Sequence, residues 1–193
     1  MILQAFSNWF TKHNALKAFA FVVIAASFSA CGGDDLDDYY NQYRCLPTEE
    51  EKLAVKPQDI QTIKKYFRDN NIDTTAMQET ASGIHYFVLE EGTGAEVEAG
   101  DRVEVHYVGK FIDGSSFSTS KTFDNSYERA SPLTITVGAG EVIKGWDEAL
   151  QLMKVGENTL FYIPSYLAYG ICGNNSIPPN TVLAFDIKVL RKL

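Results

Sequence analysis

From Ser82 onward the apolar residues fall at every second position, in short runs cut by glycine and proline, and that period of two admits few architectures. A strand turns successive side chains to opposite faces, so alternation means a sheet with one face on a core. Ile84-His85-Tyr86-Phe87-Val88-Leu89 reads as one strand and is broken by Gly92-Thr93-Gly94, a turn with no likeness to a phosphate-binding loop. Val103 to Val108 alternates, and Asp113-Gly114 behind it is a hairpin signal. Leu133-Thr134-Ile135-Thr136-Val137 stops at Gly138, Leu160 to Ile163 stops at Pro164, and Val182 to Leu190 forms the last strand. One short helix, Ile143 to Met153, interrupts the series and is stopped by Gly156. The predicted fold class is α+β, a mostly antiparallel sheet with one internal helix.

Upstream the period changes. Ile60, Ile63 and Phe67 recur at spacings of three and four, with Lys64, Lys65 and Arg68 off that face and Pro57 suited to a helix's first turn. This predicts an amphipathic helix over 57–71. Its apolar stripe must cover something: either the domain, or the same helix of a second copy in a homodimer. Residues 32–55 are polar, with scattered Tyr39, Tyr40 and Tyr43, and read as a tether.

The first thirty residues stand apart. Lys12, His13 and Lys17 precede an apolar run from Ala18 to Ala30, 13 residues long. A spanning helix needs about 20, whereas a basic start, a short apolar run and small residues at its end describe a secretory signal. The end reads Phe28-Ser29-Ala30-Cys31-Gly32 and resembles a bacterial lipobox, in which the cysteine is lipidated and becomes the new N-terminus. Phe28 departs from that pattern, which usually has an aliphatic residue there. Attachment of more than one acyl chain is what gives stable anchoring. The acidic run Asp34-Asp35-Leu36-Asp37-Asp38 resembles the signal that sends some Bacteroidetes lipoproteins to the cell surface; a solvated spacer gives the same composition. The expected location is therefore the cell envelope: lipid-anchored at the outer membrane, facing the periplasm or the cell surface. The expected organisation is a signal peptide over 1–30, an acidic tether over 31–55, a helix and linker over 56–81, and a domain over 82–193.

Composition excludes some functions. The chain is 45% apolar and 22% charged, enough for a packed core. Removing residues 1–30 takes Lys12 and Lys17 and no acid, leaving 15 basic against 25 acidic residues. So acidic a chain, with no basic stripe, is a poor partner for nucleic acid. Cys45 falls in the tether and Cys172 in a predicted loop, so free thiols fit slightly better than a bridge. Without a CxxC or a Cys/His cluster, metal binding has no support.

Five short motifs then occur in a telling order: Val105-His106-Tyr107-Val108-Gly109, Val142-Ile143-Lys144-Gly145-Trp146, Ala168-Tyr169-Gly170, Ile177-Pro178-Pro179 and Leu183-Ala184-Phe185-Asp186-Ile187. In order and approximate spacing they resemble the FKBP-type peptidyl-prolyl cis–trans isomerases, from about Ser82 to Leu193. The resemblance implies a bent antiparallel sheet wrapped around one short helix, here preceded by the amphipathic helix. It also implies an apolar pocket for X-Pro polypeptides. Trp146 would be its floor, and Tyr107, Phe123, Phe185, Val142, Ile177 and Leu133 its walls. The Tyr169 hydroxyl and the Ile143 N–H would reach substrate carbonyls, and Asp124 would orient Tyr107 and Arg129.

One stretch departs from the family pattern. Phe117 stands at the usual distance behind Asp113-Gly114 but is followed by Ser118; Phe123-Asp124 has the acid, lies nine residues before Pro132, and has Arg129 five residues after the acid. Phe123 and Asp124 are the favoured pair, with residues 115–120 as an insertion. Leu133 and Ile135 stand where many relatives have aromatics. His85 and His106, on strands beside apolar residues, read as structural or solvent-facing. Taken singly, Tyr107, Trp146 and Phe185 would be ordinary core residues.

Peptide-bond resonance sets a barrier of about 18–20 kcal/mol, while cis and trans X–Pro forms differ by only about 1 kcal/mol. The chemistry is therefore one of rate, and it needs no nucleophile, metal or cofactor; the sequence offers none. The expected function is prolyl isomerisation that assists the folding of exported proteins. The alternative is a proline-peptide-binding or chaperone module with little turnover.

Overall fold

The computed structural model describes residue 45 and residues 47–193, apart from 115 and 130. The expected signal peptide, Cys31 and most of the expected tether lie outside the described residues.

Two helices open the described chain. α1 (Glu49–Ala54) begins at Thr48, whose hydroxyl accepts from the Glu51 N–H while the Glu51 carboxylate accepts from the Thr48 N–H. This reciprocal capping satisfies two otherwise orphaned donors and makes a helix of residues read from sequence as tether. α2 (Lys56–Asp69) follows, with Pro57 in its first turn as expected. It ends at Asn70, whose side-chain amide donates to the Tyr66 carbonyl at 2.9 Å.

The sheet contains β1 (Gln78–Glu79), β2 (His85–Glu90), β3 (Arg102–Phe111), β4 (Thr122–Asn125), β5 (Leu133–Thr136), β6 (Asn158–Ile163) and β7 (Leu183–Lys192), with α3 (Lys144–Leu150) between β5 and β6. The strand order is β1-β2-β6-β7-β3-β4, β5 also pairs with β3, and every pairing is antiparallel. β3 holds β7 along one edge, from Val103 opposite Lys192 to Phe111 opposite Leu183. Its other edge is shared: β5 takes Arg102 to Val105 and β4 takes Val108 to Lys110. Between them, the buried Ser126 hydroxyl accepts from the Tyr107 N–H (2.7 Å) and donates to the Tyr107 carbonyl (3.1 Å), standing in for a strand partner. Asp113-Gly114 does not make a tight hairpin; the connection runs over 112–121, and the Asp113 carboxylate accepts from the Lys121 N–H at 2.8 Å.

Both faces of the sheet are covered. On one, Trp146, Ala149 and Leu150 of α3 meet Val103, Val105, Tyr107, Phe161, Ile163, Phe185 and Ile187. On the other, Ile63, Tyr66 and Phe67 of α2 meet Tyr162, Val182 and Ala184, with Phe87 and Leu160 alongside. The alternation in β6 and β7 explains this: Phe161 and Ile163 face α3 while Leu160 and Tyr162 face α2. Ile63, Tyr66 and Phe67 of the apolar stripe of α2 are thus used within its own chain. His85 is fully buried under α2, with Nδ1 3.0 Å from the Gly83 carbonyl and its ring 5.9 Å from that of Phe67. His106 stacks on Tyr127 at 4.4 Å. Cys45 and Cys172 are both disulfide-bonded, not the free thiols that the sequence favoured.

Candidate functional site

A cavity of about 180 Å³ opens where β3, β4 and β7 meet α3 and the segments around it. Its lining is Tyr107, Phe123, Asp124, Leu133, Glu141, Val142, Ile143, Trp146, Tyr169 and Phe185. Trp146 is 3% exposed and meets Tyr107 edge-on at 4.8 Å and Phe185 edge-on at 5.4 Å. Phe123 meets Phe185 edge-on at 5.5 Å. That approach depends on Gly109, opposite both Asp124 and Phe185 in the sheet register. A Cβ there would lie 2.7 Å from the Phe123 ring and 2.9 Å from the Phe185 ring. The result is a rigid pocket of aromatic faces, which offers large contact area with few rotors to order.

The polar side is a small network. The Tyr107 hydroxyl donates to Asp124 Oδ2 at 2.5 Å, Arg129 donates to Asp124 Oδ1, and the Arg129 guanidinium lies 5.6 Å from the centre of the Tyr107 ring. Burial, together with the hydrogen bond to Asp124, pushes the Tyr107 phenol up to about 12. Burial works to raise Asp124 too, but the hydrogen bonds from Tyr107 and Arg129 outweigh it and hold the carboxyl below its ordinary value. At neutral pH the tyrosine is therefore a donor and the aspartate an acceptor, so the network has one sense. Tyr169, 36% exposed, stands at the rim, and its hydroxyl is raised by burial and by the charge of Asp124. Ile143 is the N-cap of α3, so its N–H has no acceptor within the helix.

Of the eleven residues expected from sequence, nine line the cavity, and Ile177 and Arg129 do not. Ile177 is 2% exposed and packs in the same core cluster as Trp146 and Phe185, without lining the cavity. The Asn174 side chain accepts from the N–H groups of Ser176 (2.8 Å) and Ile177 (2.7 Å), which folds this loop inward. Arg129 does not line the cavity but braces it through Asp124. Phe123 lines the cavity; Phe117 lies beside the α2-facing cluster, with the Lys110 ammonium 5.0 Å from its ring centre. Glu141 lines the cavity and was missed. Its carboxylate accepts from the Thr136 N–H at 2.9 Å, and the only sequence signal for it was an acid directly before Val142-Ile143.

Comparison with known proteins gives a consistent result. Residues 94–190 match the family described as FKBP-type peptidyl-prolyl cis-trans isomerase. The chain is 36% identical over 159 residues to the FKBP-type peptidyl-prolyl cis-trans isomerase FkpA of Aeromonas hydrophila, covering 81% of this chain and 56% of that protein. It is 42% identical over 104 residues to the FK506-binding protein of Neisseria meningitidis, covering 53% of this chain and 90% of that one. The crystal structure of FkpA from Escherichia coli superposes with a TM-score of 0.59 at 29% identity, over 91% of this chain and 81% of that one. The chain spans about half the length of the FkpA proteins it matches.

Proposed function

This chain belongs to the FKBP-type peptidyl-prolyl cis–trans isomerase family, and on that premise we propose that it speeds rotation about X–Pro bonds of exported polypeptides, from a lipid anchor at Cys31 in the cell envelope. The observation that carries the activity is the cavity itself, apolar on its floor and walls and braced at one edge by Tyr107, Asp124 and Arg129.

Twisting an amide destroys its resonance and reduces its charge separation. Water solvates the planar form better, so a dry aromatic site favours the twisted form by comparison. The scale is adequate. A ~10⁴-fold acceleration needs about 5.4 kcal/mol off the barrier at about 1.36 kcal/mol per decade. Burying an amide without compensating hydrogen bonds costs roughly 2–7 kcal/mol, part of which the twisted amide escapes. In this reading the proline ring sits on Trp146 between Tyr107, Phe123 and Phe185. The Ile143 N–H and the Tyr169 hydroxyl donate to substrate carbonyls on either side. Asp124 holds the Tyr107 ring in place before substrate arrives, so that the wall need not be ordered at the transition state.

The test is isomerisation of a short X-Pro peptide by the soluble chain beginning at Gly32. Asp124→Ala is expected to lower kcat/KM by about 10- to 100-fold, on the scale of one lost charge-assisted hydrogen bond, and Phe117→Ala to leave it within about twofold. A wild-type chain no faster than the uncatalysed reaction would overturn the reading and leave a proline-peptide-binding module, in keeping with the aliphatic wall at Leu133.

The anchor is supported by the sequence around Cys31, and an exported location also suits Cys45 and Cys172, since disulfides persist in oxidising compartments. Cys31→Ala should move the protein from the membrane fraction to the soluble fraction of the cells that make it. Retention in the membrane would rule out lipidation at this cysteine as the anchor.

A further inference from the structure

Asp59 of α2 is an unusual buried residue. It is 3% exposed, and Oδ2 accepts from both the Ser165 N–H (2.8 Å) and the Ser165 hydroxyl (2.7 Å). Burying a carboxyl group is expensive, and Ile63, Tyr66 and Phe67 already dock α2 on the sheet without it. What the aspartate adds is a hold on Ser165.

Ser165 opens a short 3₁₀ turn (Ser165–Leu167) that leads straight into Ala168-Tyr169-Gly170. Its carbonyl accepts from the N–H of Ala168 at 2.9 Å and from the N–H of Gly170 at 2.8 Å. The residues on both sides of Tyr169 therefore hang from one carbonyl, and that carbonyl belongs to the residue Asp59 grips. The other side of this segment is closed by α3. A Cβ on Gly145 would lie 2.4 Å from Ile163 and 3.3 Å from the Leu167 carbonyl, so the chain here is pressed against the helix that carries Trp146. The Tyr166 hydroxyl donates to the Ser82 carbonyl and adds a further tie.

We propose that Asp59, on a helix upstream of the matched family segment, is a positioning residue that places Tyr169 at the cavity rim through Ser165. This rests on reading the cavity as the isomerase site. The N-terminal helix then serves the site directly, beyond covering the back of the sheet.

The experiment compares Asp59→Ala, Asp59→Asn, Tyr169→Phe and the double variant Asp59→Ala/Tyr169→Phe in the soluble chain. It uses kcat/KM on an X-Pro peptide and the ¹⁹F signal of 3-fluorotyrosine placed at position 169. Asp59→Ala is expected to lower kcat/KM about tenfold and to shift or broaden the fluorine signal. Asp59→Asn, whose amide oxygen still accepts from Ser165, should restore most of both. The double variant should be no worse than the poorer single variant, because both changes remove one function. Losses that multiply, or a fluorine signal unmoved by Asp59→Ala, overturn the proposal. If Asp59→Ala does not fold, Ser165→Ala removes one of the two bonds from the other side and must move the same signal; an unchanged signal then overturns it. If the wild type proves inactive the isomerase reading fails, and the fluorine signal alone decides whether Asp59 places Tyr169.

Discussion

Trp146→Ala is expected to bring isomerisation close to the uncatalysed rate and to lower stability by about 3–5 kcal/mol. The two effects share one cause. Trp146 is almost fully buried at the cavity floor, edge-on to both Tyr107 and Phe185. Removing the indole takes away its burial and both ring contacts. The void left behind joins the cavity of about 180 Å³ already present, so water enters where the reaction is proposed to need a dry surface. Trp146→Phe is the control. The indole N–H makes no hydrogen bond among the described residues, so phenylalanine loses area but no polar partner and should cost only about 1 kcal/mol. Urea denaturation gives the stability, and peptide isomerisation at a concentration of urea where the variant is folded gives the rate. A folded Trp146→Ala chain with the full rate would show that the cavity is not the site.

The second large effect lies on the opposite face. Phe67→Ala is expected to destabilise by about 3–5 kcal/mol, a large share of the roughly 5–15 kcal/mol that holds a domain together. Phe67 is 3% exposed and its ring contacts those of Tyr66, His85, Phe87 and Tyr162, the last edge-on at 4.8 Å. If α2 belongs to the same cooperative unit as the sheet, ellipticity and tryptophan fluorescence will lose their native values together in urea. The chain beginning at Gly32 makes this clean, because of the two tryptophans, Trp9 and Trp146, only the second remains. A helix signal lost well before Trp146 fluorescence changes would mean that α2 is an appendage, and would weaken the role proposed for Asp59.

Legibility from sequence followed how local each signal was. Strands were readable because alternation in Val103–Val108 and Leu133–Val137 reports a face buried along the strand itself. The α2 helix was readable from Ile60, Ile63 and Phe67 for the same reason. Asp113-Gly114 marked the connection of the β3–β4 hairpin but not its length, because a turn dipeptide reports only its own dihedral preference. The β3–β4 register, with Lys110 opposite Thr122, belongs to the sheet and leaves 112–121 as a longer connection. The choice between Phe117 and Phe123 turned on counting residues from landmarks, and Phe123 and Asp124 are the pair that line the cavity. Ile177, named for the cavity by the resemblance, is buried in the core cluster that also holds Trp146 and Phe185, and the Asn174 side chain accepts from its N–H.

The amino-acid order by itself determined the alternation, the helical stripe and the short apolar run before Cys31. Each is encoded by neighbours within about a turn or a strand, where backbone geometry alone relates them. Tertiary structure decided what those elements cover. It laid α2 on the back of the sheet, put Ser126 where Tyr107 lacked a strand partner, and tied Asp59 to Ser165 across 106 residues. Contacts between residues so far apart leave no periodic trace, because they depend on how the whole sheet twists and closes and not on any local preference.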